Sequence, residues 1–556
     1  MLKVRGKKVL IMGLGTLGGG IASAKWFLSH GAKVTVTDLR TERELKSSIG
    51  EFHLSKKKVV GKGVMTRHNT RGKTVRFVLG RHRAEDFKEN DIIVVNPAVP
   101  RESPYLAIAK KAGKTIVNDA KIFFDAVPNP IIAVTGTRGK TTTTNWIAHF
   151  LKSRHKNSIA GGNSSRVALL SVIGKLSSGG GSAFDGKDKK TPVVLELSSW
   201  QLELLDEARR GPDVAVITNI FPDHLNRYTN VRDYASAKAN IFSRQTPSQK
   251  LILNLDNPWT KFFLSKRPKS EKYFISFKKL PTGRNGLCVL PAIPSRHEAI
   301  KNMGIGASKG GTEKVLCYSI APQEEIAFVY RGKTRQVFSS KMVRKIKTLG
   351  EHNMYNFLAA ALAAHLMGIS WGAIEKRVET LPQIPLRQEV ILRGKNLLVV
   401  NDSAGTSPDA TIAAIRRFKN QGNIILITGG TDKNLEFKGL AREIQESIAP
   451  EHLFLLDGSA TKKLISELKR VRYFKNTKPR LFESLQEIMQ SLRNMNLVRI
   501  YENAVVLFSP GAASFEKFKN EFDRGEQFNT LIKRYGSELA GGLTFLRLSG
   551  SKEHWR

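Results

Sequence analysis

The run Val134-Thr135-Gly136-Thr137-Arg138-Gly139-Lys140-Thr141-Thr142-Thr143 follows an apolar stretch and leads into a helical one. Glycines at such a turn let backbone N–H groups cradle a phosphate, and the helix N-terminus behind them favours negative charge. The backbone of Gly136, Thr137 and Gly139 could cradle a phosphate, Lys140 would reach β and γ oxygens, and Thr141 or Thr142 could serve Mg²⁺. The loop is a variant, because Val134 stands where the usual G-x-x-x-x-G-K spacing has its first glycine. Glu196, in Glu196-Leu197-Ser198-Ser199-Trp200-Gln201, ends another apolar run; a carboxylate at a strand end facing a phosphate loop is a natural Mg²⁺ ligand. Asn219-Ile220-Phe221-Pro222-Asp223-His224 closes the next run and offers His224, a residue that alone is more often structural than a ligand. Lys238 falls in a helical stretch, where the bland reading is a solvated surface lysine.

Other segments carry weaker signals. Gly13-Leu14-Gly15-Thr16-Leu17-Gly18 follows an apolar run, and Asp38 ends the next one, an arrangement suited to a nucleotide or nucleotide-sugar. Asn353 and Asn356 share a helix face by their spacing; their amides suit an adenine edge or a helix cap. Asn401-Asp402-Ser403 and Ser509-Pro510-Gly511-Ala512-Ala513-Ser514 follow apolar runs, where open sheets place ligand loops.

Positioning these residues requires strands. Short apolar runs at 7–12, 34–38, 92–99 and 114–119 alternate with helical stretches, which predicts a parallel α/β sheet. A second α/β unit starts at 131–136 and continues through 193–199, 214–220 and 251–255. A third uses 397–402, 424–430, 452–458 and 505–511. Proline-rich stretches at 127–130 and 382–387 read as linkers, predicting domains at 1–128, 129–383 and 384–556. Residues 55–83 are basic and poorly periodic and read as an inserted, exposed segment or hairpin, and 259–320 read as another basic, glycine-punctuated, exposed insertion.

The chain has 556 residues, 41% of them hydrophobic, which excludes a largely disordered protein. Its net charge of +42 favours anionic partners, including non-specific contact with anionic surfaces. The lysines are dispersed and no nucleic-acid module is recognisable, so no specific nucleic-acid partner is expected. No run reaches the ~20 apolar residues of a membrane span, and Phe357 to Ile374 reads as a buried helix. Basic residues ahead of the first apolar run imitate a signal peptide, but the glycine-turn reading explains more residues. Two cysteines, Cys288 and Cys317, cannot build a disulfide framework and fit a reducing cytoplasm.

The order of GTRGKTTT, ELSSWQLE, NIFPDHLNRY, YASAK, GEHNMYN, NDSAGT, GGTDK and SPGAASFEKFKNEFDRGEQF is more specific than any single motif. Together they resemble the Mur ligase family, and within it the glutamate-adding type. The resemblance implies three domains: a Rossmann-like domain for a UDP moiety, a central P-loop-type ATPase with a parallel sheet, and a Rossmann-like C-terminal domain. It implies an ATP-dependent carboxylate–amine ligase of peptidoglycan synthesis, cytoplasmic, adding glutamate to a UDP-muramoyl-alanine; the oligomeric state is left open, with a monomer favoured. Lys140, Glu196, His224 and Lys238 would be catalytic. Thr141, Glu196, His224 and Lys238, the last carbamylated, would hold two Mg²⁺. Asn353, Asn356, Arg387 and Asp402 would complete the ATP site begun by Gly136, Thr137, Gly139, Lys140, Thr141 and Thr142. Thr16, Leu17, Asp38 and Arg40 would meet uridine, and Asn163, Ser198 and Gln201 the muramoyl-alanine end. Thr406, Lys433, Ser514 and Phe515 would meet glutamate, with Ala404 replacing a lysine usual in that type.

Overall fold

The computed structural model describes residues 3–539 except 17, 53–55, 62–63, 69–73, 98, 163–167, 178–189, 226, 277–313, 319–325, 331–332, 339, 476, 496 and 498–500. The described residues form three sheets, and the chain divides into two compact units, Met1–Val343 with Tyr355–Glu379, and Arg344–Met354 with Thr380–Arg556.

The first unit holds two sheets. Strands β1 (Lys8–Met12), β2 (Lys33–Asp38), β3 (Lys56–Gly61), β4 (Val64–His68), β5 (Thr74–Leu79), β6 (Ile92–Val95) and β7 (Thr115–Val117) pair in the order β3-β4-β5-β2-β1-β6-β7. Val9, Leu10 and Ile11 are fully buried, as expected of a parallel strand covered on both faces. The hairpin expected at 55–83 is present as antiparallel β3 and β4, but the expected exposure of the whole segment is corrected. Its last part is β5, which pairs parallel with β2 and buries Val75, Phe77 and Val78 completely. Antiparallel β3 and β4 then extend the sheet edge.

The second sheet comprises β8 (Ile131–Thr135), β9 (Ile159–Gly162), β10 (Val193–Glu196), β11 (Val214–Ile217), β12 (Lys250–Asn254), β13 (Glu271–Ser276), β14 (Lys314–Tyr318), β15 (Ile326–Tyr330) and β16 (Lys333–Phe338). Its order is β16-β15-β14-β13-β12-β11-β8-β10-β9. The expected insertion at 259–320 is also corrected at both ends: β13 is buried, and β14 pairs parallel with it. Parallel neighbours need a crossover of a dozen or more residues, so the chain between them cannot shrink to a tight turn. Helices Gly19–Ser29, Asp119–Ala126 and Leu169–Ser177 pack together, and one core containing Phe27, Phe123 and Val172 joins the two sheets. Phe357 to Ala364 are fully buried, as the alanine-rich run predicts, and no helix of the described residues is long and apolar enough to cross a membrane.

The second unit holds β17 (Glu389–Arg393), β18 (Leu397–Asn401), β19 (Asn423–Gly429), β20 (Leu453–Leu456), β21 (Leu481–Phe482) and β22 (Ala504–Phe508), in the order β17-β18-β22-β19-β20-β21. All pairs are parallel except β17 with β18.

Candidate functional site

Strand β8 lies between β10 and β11, so the chain leaves its carboxyl end at a change of winding direction, where open α/β sheets bind ligands. The loop there carries Gly136 at φ 143° and Gly139 at φ 80° and runs into helix Lys140–Leu151. A Cβ at Gly136 would strike Thr218 Oγ1, and one at Gly139 would strike Asn356 Oδ1, so both close approaches require glycine. The neighbouring strand end fixes the loop from outside. Thr137 N donates to Asn219 O at 2.9 Å, Arg138 N to Asn219 Oδ1 at 2.9 Å, and Thr218 Oγ1 to Arg138 O at 2.6 Å. Lys140 Nζ folds back to Gly136 O at 3.0 Å and Thr137 O at 2.9 Å, which puts its charge over the cradle. Thr141 and Thr142 are buried in the first turn. Asn356 sits beside the loop, its Oδ1 accepting from Thr143 Oγ1 at 3.4 Å.

Lys238 is not a surface lysine. It lies on helix Val231–Ser243, is 1% exposed, and donates from Nζ to Thr135 Oγ1 at 3.3 Å. Its amine lies 4.6 Å from the Tyr234 ring centroid. Burial, reinforced by the charge of Lys140 and opposed by Asp223 and Glu196, holds its pKa far below the lysine range. Glu196, 2% exposed, ends β10. His224 takes a left-handed backbone at φ 54°, with its ring against Trp200 and Tyr234 at centroid distances of 5.3 and 5.9 Å. Lys140, Glu196 and Asp223 thus lie near enough to Lys238 for their charges to act on it.

In the first sheet, Gly13, Gly15 and Gly18 all have positive φ, and helix Gly19–Ser29 follows. Asp38 turns inward: Oδ2 accepts from Leu14 N at 2.9 Å and Gly15 N at 3.1 Å, and Oδ1 from Arg40 N at 3.0 Å. The carboxylate therefore shapes the turn. Thr16 and Arg40 are exposed at its rim, and Leu17 lies outside the described residues. A glycine the motif does not include, Gly20, is also required, since its Cβ would meet Gly13 O at 2.6 Å.

Ser198 and Gln201 form a capping box at helix Ser199–Leu202. Gln201 Oε1 accepts from Ser198 N at 3.1 Å, and Gln201 Nε2 donates to Asp119 Oδ2 at 3.0 Å, so both ends of the amide are engaged. Burial raises the Asp119 pKa to about 6. Nearby, Glu203 accepts from Arg227 at 2.9 Å and Tyr228 at 2.7 Å, while Arg227 also donates to Pro97 O and Val99 O, tying the two sheets together. Asn163 lies outside the described residues.

In the second unit, Asp402 follows β18 and is 4% exposed. Ser509 Oγ donates to it at 2.7 Å and Gln388 N at 3.0 Å, yet burial lifts its pKa to about 7. Arg387 lies between Leu386 at φ 61° and Gln388 at φ 47°, and its charge acts on Asp402. Two left-handed non-glycine residues in so short a stretch store strain of the kind concentrated at functional segments. Asn353 Nδ2 donates to Leu349 O at 2.9 Å. Lys433 Nζ donates to Thr406 Oγ1 at 3.3 Å, joining two expected glutamate contacts. Thr431 and Ala513 form a bridge that brings Ser514 alongside; its buried Oγ has no hydrogen-bond partner among the described residues, and Phe515 is 65% exposed. Sequence reasoning missed Arg524 as a structural group. It is fully buried and donates to Ser403 Oγ at 3.1 Å, Ser403 O at 2.8 Å, Ala513 O at 2.9 Å and Ala512 O at 3.1 Å. It clamps two ligand-type loops together. Asp119 and Glu203 were also missed, because no short-range pattern marks their partners.

Comparison with known proteins agrees with this layout. Residues 7–118 match the Mur ligase MurD-like N-terminal domain, and 134–285 the Mur ligase middle domain. A UDP-N-acetylmuramoylalanine--D-glutamate ligase of Roseiflexus sp. (strain RS-1) is 35% identical over 541 residues, covering 96% of this chain and 100% of its own. The enzyme of that name from Borreliella afzelii (strain PKo) is 31% identical, covering 96% and 99%. A crystal structure of MurF from Acinetobacter baumannii aligns over 95% of this chain and 90% of its own, at 15% identity and a TM-score of 0.49. A relative matched end to end at 35% identity, with two successive domains recognised in order, shows that this chain belongs to the Mur ligase family.

Proposed function

We propose that this chain is an ATP-dependent ligase that joins D-glutamate to UDP-N-acetylmuramoylalanine, an early step in building peptidoglycan precursors. The observation that carries the reading is the β8 end. A glycine cradle, the Lys140 cation, the Glu196 carboxylate and a buried amine at Lys238 converge there. End-to-end similarity to relatives named for this reaction supports the choice of substrates.

The residues present fit a nucleotide and Mg²⁺. Only glycine fits at Gly136 and Gly139, where a Cβ would strike Thr218 or Asn356, so the loop backbone stays free to approach a phosphate; Thr141 and Glu196 offer the oxygen donors Mg²⁺ prefers, and His224 would add a ring nitrogen. With Lys238 carbamylated they would hold two Mg²⁺, which neutralise phosphate charge when bound. Lys140 stabilises charge on the γ-phosphoryl as it passes to the acceptor carboxylate. The resulting acyl phosphate has a good leaving group. The neutral amine of glutamate attacks its carbonyl carbon, a tetrahedral intermediate forms, phosphate departs, the nitrogen releases a proton to the departing phosphate or to solvent, and an amide remains.

In this reading Asn353, Asn356, Arg387 and Asp402 complete the ATP site, and Thr16, Leu17, Asp38 and Arg40 border the uridine. Asn163, Ser198 and Gln201 border the muramoyl-alanine end. Thr406, Lys433, Ser514 and the amide of Phe515 hold the glutamate; the unsatisfied Ser514 Oγ supports that role. Three domains at 1–128, 129–383 and 384–556 accord with one sheet in each span. A monomer in the cytoplasm, where ATP is available, completes the proposal.

The test is ADP release in the presence of ATP, Mg²⁺ and UDP-N-acetylmuramoylalanine, with a panel of amino acids. Release should require D-glutamate, and Lys140→Ala should lower it ~10²–10³-fold. Equal turnover with another amino acid would reject the substrate assignment, and near-normal turnover by Lys140→Ala would reject the phosphate-loop reading.

A further inference from the structure

Asp119 is a buried carboxylate that the reaction scheme leaves unused. It opens helix Asp119–Ala126 directly after β7 and is 7% exposed. Oδ1 accepts from Ala120 N at 2.8 Å, and Oδ2 accepts from Gln201 Nε2 at 3.0 Å. Neither partner carries a charge. The preceding residue grips the same glutamine: Asn118 Nδ2 donates to Gln201 O at 2.9 Å, while Asn118 Oδ1 accepts from Lys121 N at 2.8 Å. Two consecutive residues leaving the first sheet therefore hold both the main chain and the side chain of Gln201, 82 positions away from Asp119.

The chemistry of this grip is directional. A glutamine amide has one donating and one accepting end of nearly equal size, so packing alone does not choose between its two orientations. An ionised carboxylate only accepts. Asp119 thus draws Nε2 to itself and sends Oε1 to Ser198, whose amide and hydroxyl donate to it at 3.1 and 3.2 Å. Ser198 Oγ accepts in return from Gln201 N at 3.3 Å. This closes the capping box immediately after Glu196 and Leu197, beside the phosphate loop. With the amide reversed, Nε2 would confront the Ser198 N–H and Oε1 would confront the carboxylate. The box would open.

We propose that Asp119 is a positioning residue for the acceptor end of the active site, orienting the Gln201 amide so that Ser198 and the segment behind Glu196 are held in place. The inference rests on the reading above, in which Ser198 and Gln201 border the muramoyl-alanine end. It also makes the first sheet part of the acceptor site's geometry rather than only a holder of the uridine.

The test uses the full-length enzyme and steady-state KM values for each substrate. Asp119→Asn supplies one acceptor for two donors, so its amide must face either Ala120 N–H or Gln201 Nε2. The KM for UDP-N-acetylmuramoylalanine should rise about 10-fold, with the ATP KM nearly unchanged. Adding Gln201→Glu to Asp119→Asn restores matched partners: the new amide donates to the new carboxylate, whose other oxygen still accepts from Ser198. The acceptor KM of the swapped pair should then lie several-fold below that of Asp119→Asn alone, even though Gln201 borders the acceptor. A simple packing defect gives no such recovery, and it would lower thermal stability without singling out one KM. If Gln201→Ala leaves the acceptor KM unchanged, the reading of the acceptor end fails. If Gln201→Ala raises it while Asp119→Asn does not, or if the swapped pair folds without recovery, the positioning role is overturned. Should Asp119→Asn fail to fold, the swapped pair carries the test alone: recovered acceptor binding supports the inference, and a folded protein that binds poorly overturns it.

Discussion

Replacing Lys238 with methionine keeps most of the stem volume and removes the amine. In the parent protein that amine is 1% exposed, makes a 3.3 Å hydrogen bond to Thr135 Oγ1 and lies over Tyr234. An ammonium has three donors, and burying its charge costs several kcal/mol unless it is well paired. Burial first, and the Lys140 charge second, push the amine's pKa well below the lysine range against the opposing pull of Asp223 and Glu196, a shift toward the neutral form. An unprotonated amine is the form that adds CO₂, and a carbamate would turn repulsion by Lys140 into attraction. The methionine variant should therefore keep the parent's unfolding free energy to within ~1.5 kcal/mol, because the swap nearly conserves volume. ADP release should nevertheless fall by ~10²–10³-fold, the range for losing a charge-stabilising group at a reacting centre. Three arms complete the assay: the parent after CO₂ removal, the same sample with bicarbonate restored, and Lys238→Ala with added acetate. Activity should fall in the first, return in the second and recover partly in the third. Full turnover by Lys238→Met would refute the role of the residue. A parent indifferent to CO₂, together with no acetate rescue, would refute the carbamate.

Lys433→Met should raise the KM for D-glutamate about 10- to 150-fold, the value of a charged hydrogen bond, with little change for ATP; an unchanged KM would make Lys433 a solvated lysine. Arg524→Met should destabilise the protein by about 3–5 kcal/mol in denaturant unfolding, because the carbonyls of Ser403, Ala512 and Ala513 lose a buried donor. Asp402 binds its proton more tightly folded than unfolded, with a pKa of about 7 against an ordinary 3.8. Its stabilising contribution is therefore complete below about pH 4 and is lost as pH rises to about 7, on the order of 3–4 kcal/mol. Asp402→Asn should flatten the unfolding free energy across that window, and parallel pH profiles for parent and variant would show the group titrates normally.

Much of this architecture follows from short-range pattern. The strand–loop–helix from Ile131 to Leu151 is legible because an apolar run, two glycines needed at positive φ and a lysine opening the helix all lie within a few residues. The same locality made β18, β19, β20 and β22 readable, since strands buried on both faces appear as continuous apolar runs. Composition misled where charge and burial alternate. In Thr74–Leu79, Arg76 pairs with Asp86 at 2.6 Å while Val75 and Phe77 face the core, so a stretch that counts as basic is an interior strand. Asp38 was found by its spacing, and its hydrogen bonds from the loop's own amides, which no spacing announces, became visible only in the structure. The burial of Lys238 was decided by the helix face that packs against β8, which a lone lysine in a helical stretch does not announce. The Asp119–Gln201 pair joins positions 82 apart, and Arg524 reaches Ser403 across 121. The amino-acid order by itself determined the strands, the phosphate loop and the kind of chemistry, because each depends on neighbours along the chain. Which polar groups are buried, charged or turned inward was decided only by the tertiary structure, because desolvation and long-range hydrogen bonds depend on neighbours in space.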